Sequence, residues 1–247
     1  MNVSCFTDVA INARLERAVT LHVATEVSAV IAAKQEAPSI ADVVYRTCPY
    51  AGQVLVVVGQ STDGTRERAA ESGAMVLHDG GRGKGEALRR AIPLIRTPVT
   101  VFLDADGSHD PEDIPLLVQP ILADEADHVT ASRLRGGSSE LHGGFDEFLR
   151  LAGSSFITAC INWRFKTRLS DSQNGFRAVR TSVLQQLDLR ENGTTIEQEM
   201  IIKTLRRGWR MAEVPSHEHP RAHGRSHIHV VRSAPRYGYS LVKYLFF

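Results

Sequence analysis

With 247 residues, 43% of them hydrophobic, and 29 basic against 28 acidic side chains, the chain has the composition of a single soluble domain with a net charge of only +1. That balance excludes capture of nucleic acid by overall charge, so local clusters must carry any argument about charged ligands. Cys5, Cys48 and Cys160 lack CxxC or metal-ligand spacing, and no apolar run approaches the roughly 20 residues that span a bilayer, so the expected location is the cytoplasm, at most peripheral to the inner face of the membrane.

The first 26 residues show weak periodicity and are predicted as a helical or frayed extension. Then β-rich apolar runs, VSAVIAA (27–33), QVLVVV (53–58), AMVLH (74–78), VTVFLD (99–104) and HVTAS (128–132), alternate with the amphipathic stretches GTRERAAES, KGEALRRAIPLI and PEDIPLLVQPILADEA. Runs apolar at successive positions belong to strands buried on both faces. Their alternation with helices predicts an α/β fold with a doubly wound, mostly parallel sheet flanked by helices. Asp110 is placed to cap the third helix, with Pro111 at its first position. After residue 133 come a Gly/Ser-rich loop, a long helix from about Phe145 to Phe165, a polar turn SDSQNGF, a strand FRAVR, a helix ended by Gly208 and a strand RMAEV. The segment from Pro215 to His229, rich in His and Arg, suits closure over an anionic ligand, and its few apolar side chains predict a mobile lid. A C-terminal amphipathic helix over 231–247 is expected to pack on the core, with contact to a membrane surface the alternative.

Ligands of such sheets bind beyond the carboxyl ends of the strands, where VFLDADGSHDPEDIP places five acids close together. Asp110, Glu112 and Asp113 read as capping or solvated acids at a helix start. Asp104 and Asp106, spaced i, i+2 in extended backbone, point the same way and offer hard oxygens suited to Mg2+ or Mn2+ carrying a phosphate. In GRGKGEALRR, Gly81, Gly83 and Gly85 let backbone amides approach a phosphate while Lys84 adds charge. The stretch lacks the GKS or GKT ending of a nucleotide-hydrolysing phosphate loop, which disfavours an ATPase.

From about Val27 to Ile228 the chain resembles the family-two glycosyltransferases of GT-A fold, in particular the polyprenyl-phosphate (dolichyl-phosphate) mannose and glucose synthases. The resemblance runs through STDGT, GKGEALR, FLDADGSHDPEDIP, DSQNGFRAVR and EQEMIIKTLRRGWRMAEVPSHEHPRAHGRSHI. It implies a GT-A domain over 27–230 and a metal-dependent, inverting hexosyltransferase moving a sugar from a UDP- or GDP-sugar to an acceptor, foremost a polyprenyl phosphate. By the same resemblance Ala32, Glu36, Asp63, Lys84, Asp104, Ala105 and Asp106 would lie against the donor. Asp104, Asp106, Ser108 and a late histidine, His219 or His223, would hold Mg2+ or Mn2+. Arg133 and Arg150 would grip the acceptor's phosphate, Arg221 would close on the departing diphosphate, and Glu197 and Glu199 would line the acceptor side. Asp171 would be the base for a hydroxyl acceptor, whereas a phosphate oxygen is already ionised and requires none.

Where relatives carry VDDGSTDGT this chain has VVVGQSTDGT, with Val58, Gly59 and Gln60 replacing the acids and glycine near the nucleobase, which leaves the donor nucleotide open. His217, His219, His223, His227 and His229 have irregular spacing that fits Zn2+ poorly. Three other readings stay open: a glycosyltransferase acting on a small-molecule or saccharide hydroxyl, a sugar-1-phosphate nucleotidyltransferase, and a silent nucleotide-sugar-binding protein. Against the second, AVIAAKQEAPS has no glycine loop after the first strand; against the third, the acid pair and both arginines are retained.

Overall fold

The computed structural model describes residues 23–139, 145–223 and 230–247. The predicted extension therefore lies outside the described residues except for a helical turn over 23–26, which runs directly into the first strand. Seven strands among the described residues form one sheet: β1 (Val27–Ala33), β2 (Gln53–Val58), β3 (Met75–His78), β4 (Val99–Asp104), β5 (His128–Ser132), β6 (Arg177–Arg180) and β7 (Met211–Pro215). Their order is β3-β2-β1-β4-β6-β5-β7. Only β6 runs antiparallel, between β4 and β5, so the sheet is the mostly parallel one the alternation predicted.

The helices are α1 (Ile40–Thr47), α2 (Thr65–Glu71), α3 (Lys84–Ala91), α4 (Ile114–Leu122), the short turn α5 (Arg133–Gly136), α6 (Phe145–Phe165), α7 (Thr181–Gln186), α8 (Ile196–Arg206) and α9 (Val230–Phe246). Period-two alternation sorts strand side chains to two cores. Ala29, Ile31, Val56 and Val58 meet Ile40 and Val44 of α1 and Leu117 and Ile121 of α4, while Val30, Leu55 and Val57 meet Leu88 of α3, Leu184 of α7 and Met200 of α8. A third cluster, with Ile157, Ile161, Ile201, Leu241 and Leu245, joins α6, α8 and α9, so the C-terminal helix packs on the core.

Local chemistry sets the element ends. α3 stops at Ala91 and passes into a 3-10 turn over Ile92–Leu94, shorter than its apolar pattern suggests, because Pro93 has no amide to continue the helix. Asp110 caps as expected, its carboxylate accepting from Glu112 N at 3.0 Å, but Pro111 opens a 3-10 turn rather than the α-helix itself.

Candidate active site

β1 and β4 are in register, Ala32 opposite Asp104, so the end of β4 delivers the DAD segment to the ligand edge of the sheet. Asp104 Oδ1 lies 2.5 Å from Lys84 Nζ, and the same ammonium is 2.8 Å from Glu197 Oε1. Asp104 N donates to His109 Nδ1 at 3.1 Å, and the His109 ring stacks on Phe176. Burial alone would raise the Asp104 carboxyl, but the charges of Lys84 and His109 outweigh it and bring it down to about 2. For Lys84 burial opposes the charge, yet its two carboxylate partners hold its pKa above the ordinary lysine value. Gly175 follows from this crowding, since a Cβ there would come within 2.9 Å of Asp104 Oδ2 and 3.0 Å of Lys84 Nζ.

Ala105 is buried, and Asp106 is buried beside it. Asp106 Oδ1 accepts from Ser108 N at 3.0 Å and Ser108 Oγ at 2.6 Å, and Oδ2 lies 2.8 Å from Arg221 Nη2. Arg221 Nη1 is 3.6 Å from Glu36 Oε1. Burial and the charge of Asp106 raise the Glu36 carboxyl, against the lowering effect of Arg221. The chain around Arg221 is tied to the aspartate loop by its backbone, His219 N donating to Ser108 O at 2.9 Å and Ala222 N to Asp106 O at 3.0 Å. Ser216 Oγ donates to Asp113 Oδ2 at 2.7 Å. The described part of the predicted lid is thus held by polar bonds, which its apolar content does not measure, and Asp113 anchors this loop rather than being merely solvated. Residues 224–229, with His227 and His229, lie outside the described residues.

Arg133 is committed to two carboxylates. Its Nε and Nη2 donate to Asp171 Oδ2 and Oδ1 at 2.6 and 3.0 Å, and Nη1 to Glu218 Oε1 at 3.4 Å. Burial raises the Asp171 carboxyl, but pairing with Arg133 overrides it and holds the group below the usual carboxylate range. A carboxylate so paired has little affinity for a proton, which suits an anchor for Arg133 better than a base.

Asp63 organises the loop that carries Glu36: its Oδ1 accepts from Thr65 N and its Oδ2 from Ala37 N, at 3.1 and 3.0 Å. The glycine-rich stretch departs from its expected role. Gly81 N donates to Asp79 Oδ1 at 2.6 Å, and Gly85 N and Glu86 N both donate to Asn192 O, at 2.8 and 3.3 Å, so these amides are spent inside the protein. His219 is exposed and its ring packs edge-on against His217. Among the described residues no three His, Cys, Asp or Glu side chains gather around a metal position, so His219 is not brought to the two aspartates. The Asp104 and Asp106 carboxylates and the Ser108 hydroxyl are hard oxygens of the kind that suits Mg2+ or Mn2+.

Sequence reasoning missed His109, Glu218, Tyr237 and Asp79. His109 carries a signal in its place within DGSHD. Asp79 is buried just past the end of β3, its Oδ2 3.2 Å from where a Cβ on Gly59 would stand.

Lys84, Asp104, Asp106, Glu197 and Arg221 line a polar cavity. An apolar groove of about 350 Å³ adjoins it between α6 and α9, lined by Leu149, Phe156, Ile157, Ala234 and Leu241 among others. Arg133, Arg150, Gln173 and Tyr237 belong to both linings and form the join.

Residues 28–188 match the family described as Glycosyl transferase family 2. The glycosyltransferase AglJ of Haloferax volcanii is 34% identical over 192 residues, which cover 76% of this chain and 61% of AglJ, so the chain spans about three-fifths of that relative. The dolichyl-phosphate hexose transferase of the same archaeon is 28% identical over 189 residues, covering 76% of this chain and 79% of that protein. Among solved structures, glucosyl-3-phosphoglycerate synthase from Mycobacterium tuberculosis, in complex with Mn2+, UDP-glucose and phosphoglyceric acid, superposes with a TM-score of 0.74 at 24% identity, over 93% of this chain and 82% of that one.

Proposed function

The chain belongs to glycosyl transferase family 2, and from that premise we propose that it transfers a hexose from a nucleoside-diphosphate sugar to a polyprenyl phosphate. The observation that carries this reading is the joined pair of cavities, polar and apolar, with Arg133 and Arg150 where they meet. A phosphate on a long hydrocarbon chain requires that pairing: cations for its head and an apolar channel for the first units of its tail. The likeness to a dolichyl-phosphate hexose transferase supports it.

A phosphate acceptor also suits the carboxylates. Its oxygen attacks the anomeric carbon as the bond to the nucleoside diphosphate breaks, with inversion, and no proton has to be removed. Asp171, clamped by Arg133, then keeps that arginine oriented rather than acting as a base. Asp104, Asp106 and Ser108 would hold Mg2+ or Mn2+, which when bound supplies neutralising charge for the departing diphosphate. Arg221, which lies next to Asp106 and near Glu36, would donate to the same leaving group, and Glu36 would face the nucleoside side.

The acceptor's origin implies a place at a membrane surface. No helix among the described residues is long and apolar enough to cross a membrane. Phe148, Phe156 and Trp163 of α6 and Tyr239 and Phe246 of α9 expose large apolar area on the two helices that flank the groove, which suits a peripheral contact.

The test is transfer of labelled sugar from a panel of UDP- and GDP-sugars to a short-chain polyprenyl phosphate with Mn2+. Label should appear in the organic phase and be lost with chelator, and Asp106→Asn should lower the rate by ~10²-fold or more. Label only in water-soluble products would overturn the lipid acceptor.

A further inference from the structure

Both carboxylate oxygens of Asp106 are engaged by the protein. Oδ1 takes the amide and hydroxyl of Ser108, and Oδ2 takes the Arg221 guanidinium at 2.8 Å. Asp106 is only 4% exposed in this arrangement. A divalent cation approaching Oδ2 therefore meets a fixed positive charge already on its ligand, and the two repel strongly at that distance. The backbone bonds from His219 to Ser108 and from Ala222 to Asp106 pin the main chain on either side of Arg221. What can yield is the Arg221 side chain, which also lies 3.6 Å from Glu36 Oε1. A diphosphate changes the balance, because it offers the guanidinium a bidentate partner of higher charge and gives the cation further oxygen ligands.

We infer that Arg221 and the divalent cation compete for one oxygen of Asp106, so that the cation is admitted together with the nucleoside diphosphate and only weakly before it. This rests on the metal and donor site proposed above and adds an order of binding to it. Arg221 is then a latch on the metal site as well as a donor to the leaving group. By linkage, the factor by which nucleotide tightens cation binding equals the factor by which cation tightens nucleotide binding.

The measurement is Mn2+ binding followed by electron paramagnetic resonance of the free ion, with and without UDP or GDP, for the wild type, Arg221→Ala and Arg221→Lys. No turnover is involved. The wild type should bind Mn2+ weakly alone and at least roughly a hundredfold more tightly with the nucleotide. Arg221→Ala should bind Mn2+ alone roughly ten- to a hundredfold more tightly than the wild type, the scale of one charged hydrogen bond, with a correspondingly smaller gain from nucleotide. Arg221→Lys, which keeps the charge, should fall between. Equal Mn2+ affinity in wild type and Arg221→Ala without nucleotide, or a nucleotide gain unchanged by the substitution, would overturn the latch while leaving the metal site intact. Absence of Mn2+ binding in every variant, nucleotide present, would overturn the metal site itself and the latch with it.

Discussion

Lys84 gathers carboxylates from two distant elements, Asp104 at the end of β4 and Glu197 in the first turn of α8. Breaking a buried pair leaves an uncompensated charge, so Lys84→Met should cost ~3 kcal/mol or more in denaturant unfolding. The pH dependence has a definite sign. Asp104 is held at about 2 against an ordinary 3.8, so its contribution is fully present above about pH 4 and is lost as the pH falls towards 2. That contribution is on the order of 2 kcal/mol. In Asp104→Asn the thermal midpoint should therefore fall less steeply between pH 4 and pH 2 than in the wild type; an unchanged slope would assign the acid sensitivity to other groups. At the acceptor end, Arg150→Ala should raise the KM for polyprenyl phosphate while leaving the calorimetric affinity for nucleotide unchanged. That Asp104, Asp106 and Arg221 would line one cavity was legible because their motifs are linear. Their pairings were not: Asp171 looked like a base until Arg133, thirty-eight positions away, proved to hold both its oxygens.

The segment between α7 and α8 connects more elements than its polar composition indicates. Asn192 O receives the amides of Gly85 and Glu86 at the start of α3, and Glu191 Oε1 receives Lys243 Nζ and Tyr244 Oη from α9, at 3.0 and 2.9 Å. Tyr237 Oη donates to Thr194 Oγ1 at 2.7 Å. A Cβ at Gly85 would run into the backbone carbonyl of Glu191, so Gly85→Ala must push this segment away from the helix that carries Lys84. We expect a loss of ~2 kcal/mol or more. The control is Gly153→Ala on α6, where a Cβ meets nothing within 4 Å, which should be neutral or stabilising by up to ~1 kcal/mol. Comparable losses at both sites would contradict the steric account. At this scale the strands were legible from apolar runs and α3 was legible up to Pro93. The use of the α3 amides was not, because their acceptor lies more than a hundred positions further along the chain.

In the molecule as a whole the polar site and the apolar groove sit on opposite sides of one join, and the exposed aromatic side chains lie on the helices that flank the groove. Trp163→Asp with Phe246→Asp should reduce co-flotation with anionic vesicles, the scale being the loss of two exposed apolar anchors; equal flotation would place the membrane contact elsewhere. The mostly parallel sheet was legible from the βα alternation. The reversed direction of β6 was not, since a four-residue strand such as RAVR carries no mark of its orientation.

That reversed strand has a kinetic consequence. β6 is zipped to β4 on one side and to β5 on the other, and its pairing with β4 closes a stretch of about eighty residues, as Val99 opposite Arg180 shows. β1 to β3 need only nearest-neighbour crossovers, and β4 crosses back over β2 to pair with β1, Val27 opposite Val99, whereas β5 is joined to the rest of the sheet through β6 alone, with β7 added beyond it. Chain entropy therefore favours early formation of β1, β2 and β3, with β4 and then the β6-β5-β7 half waiting for long closures. Pulsed hydrogen exchange during refolding should show amides of β1 and β2 protected before those of β5 and β7, and simultaneous protection would mean that the whole sheet condenses in one step.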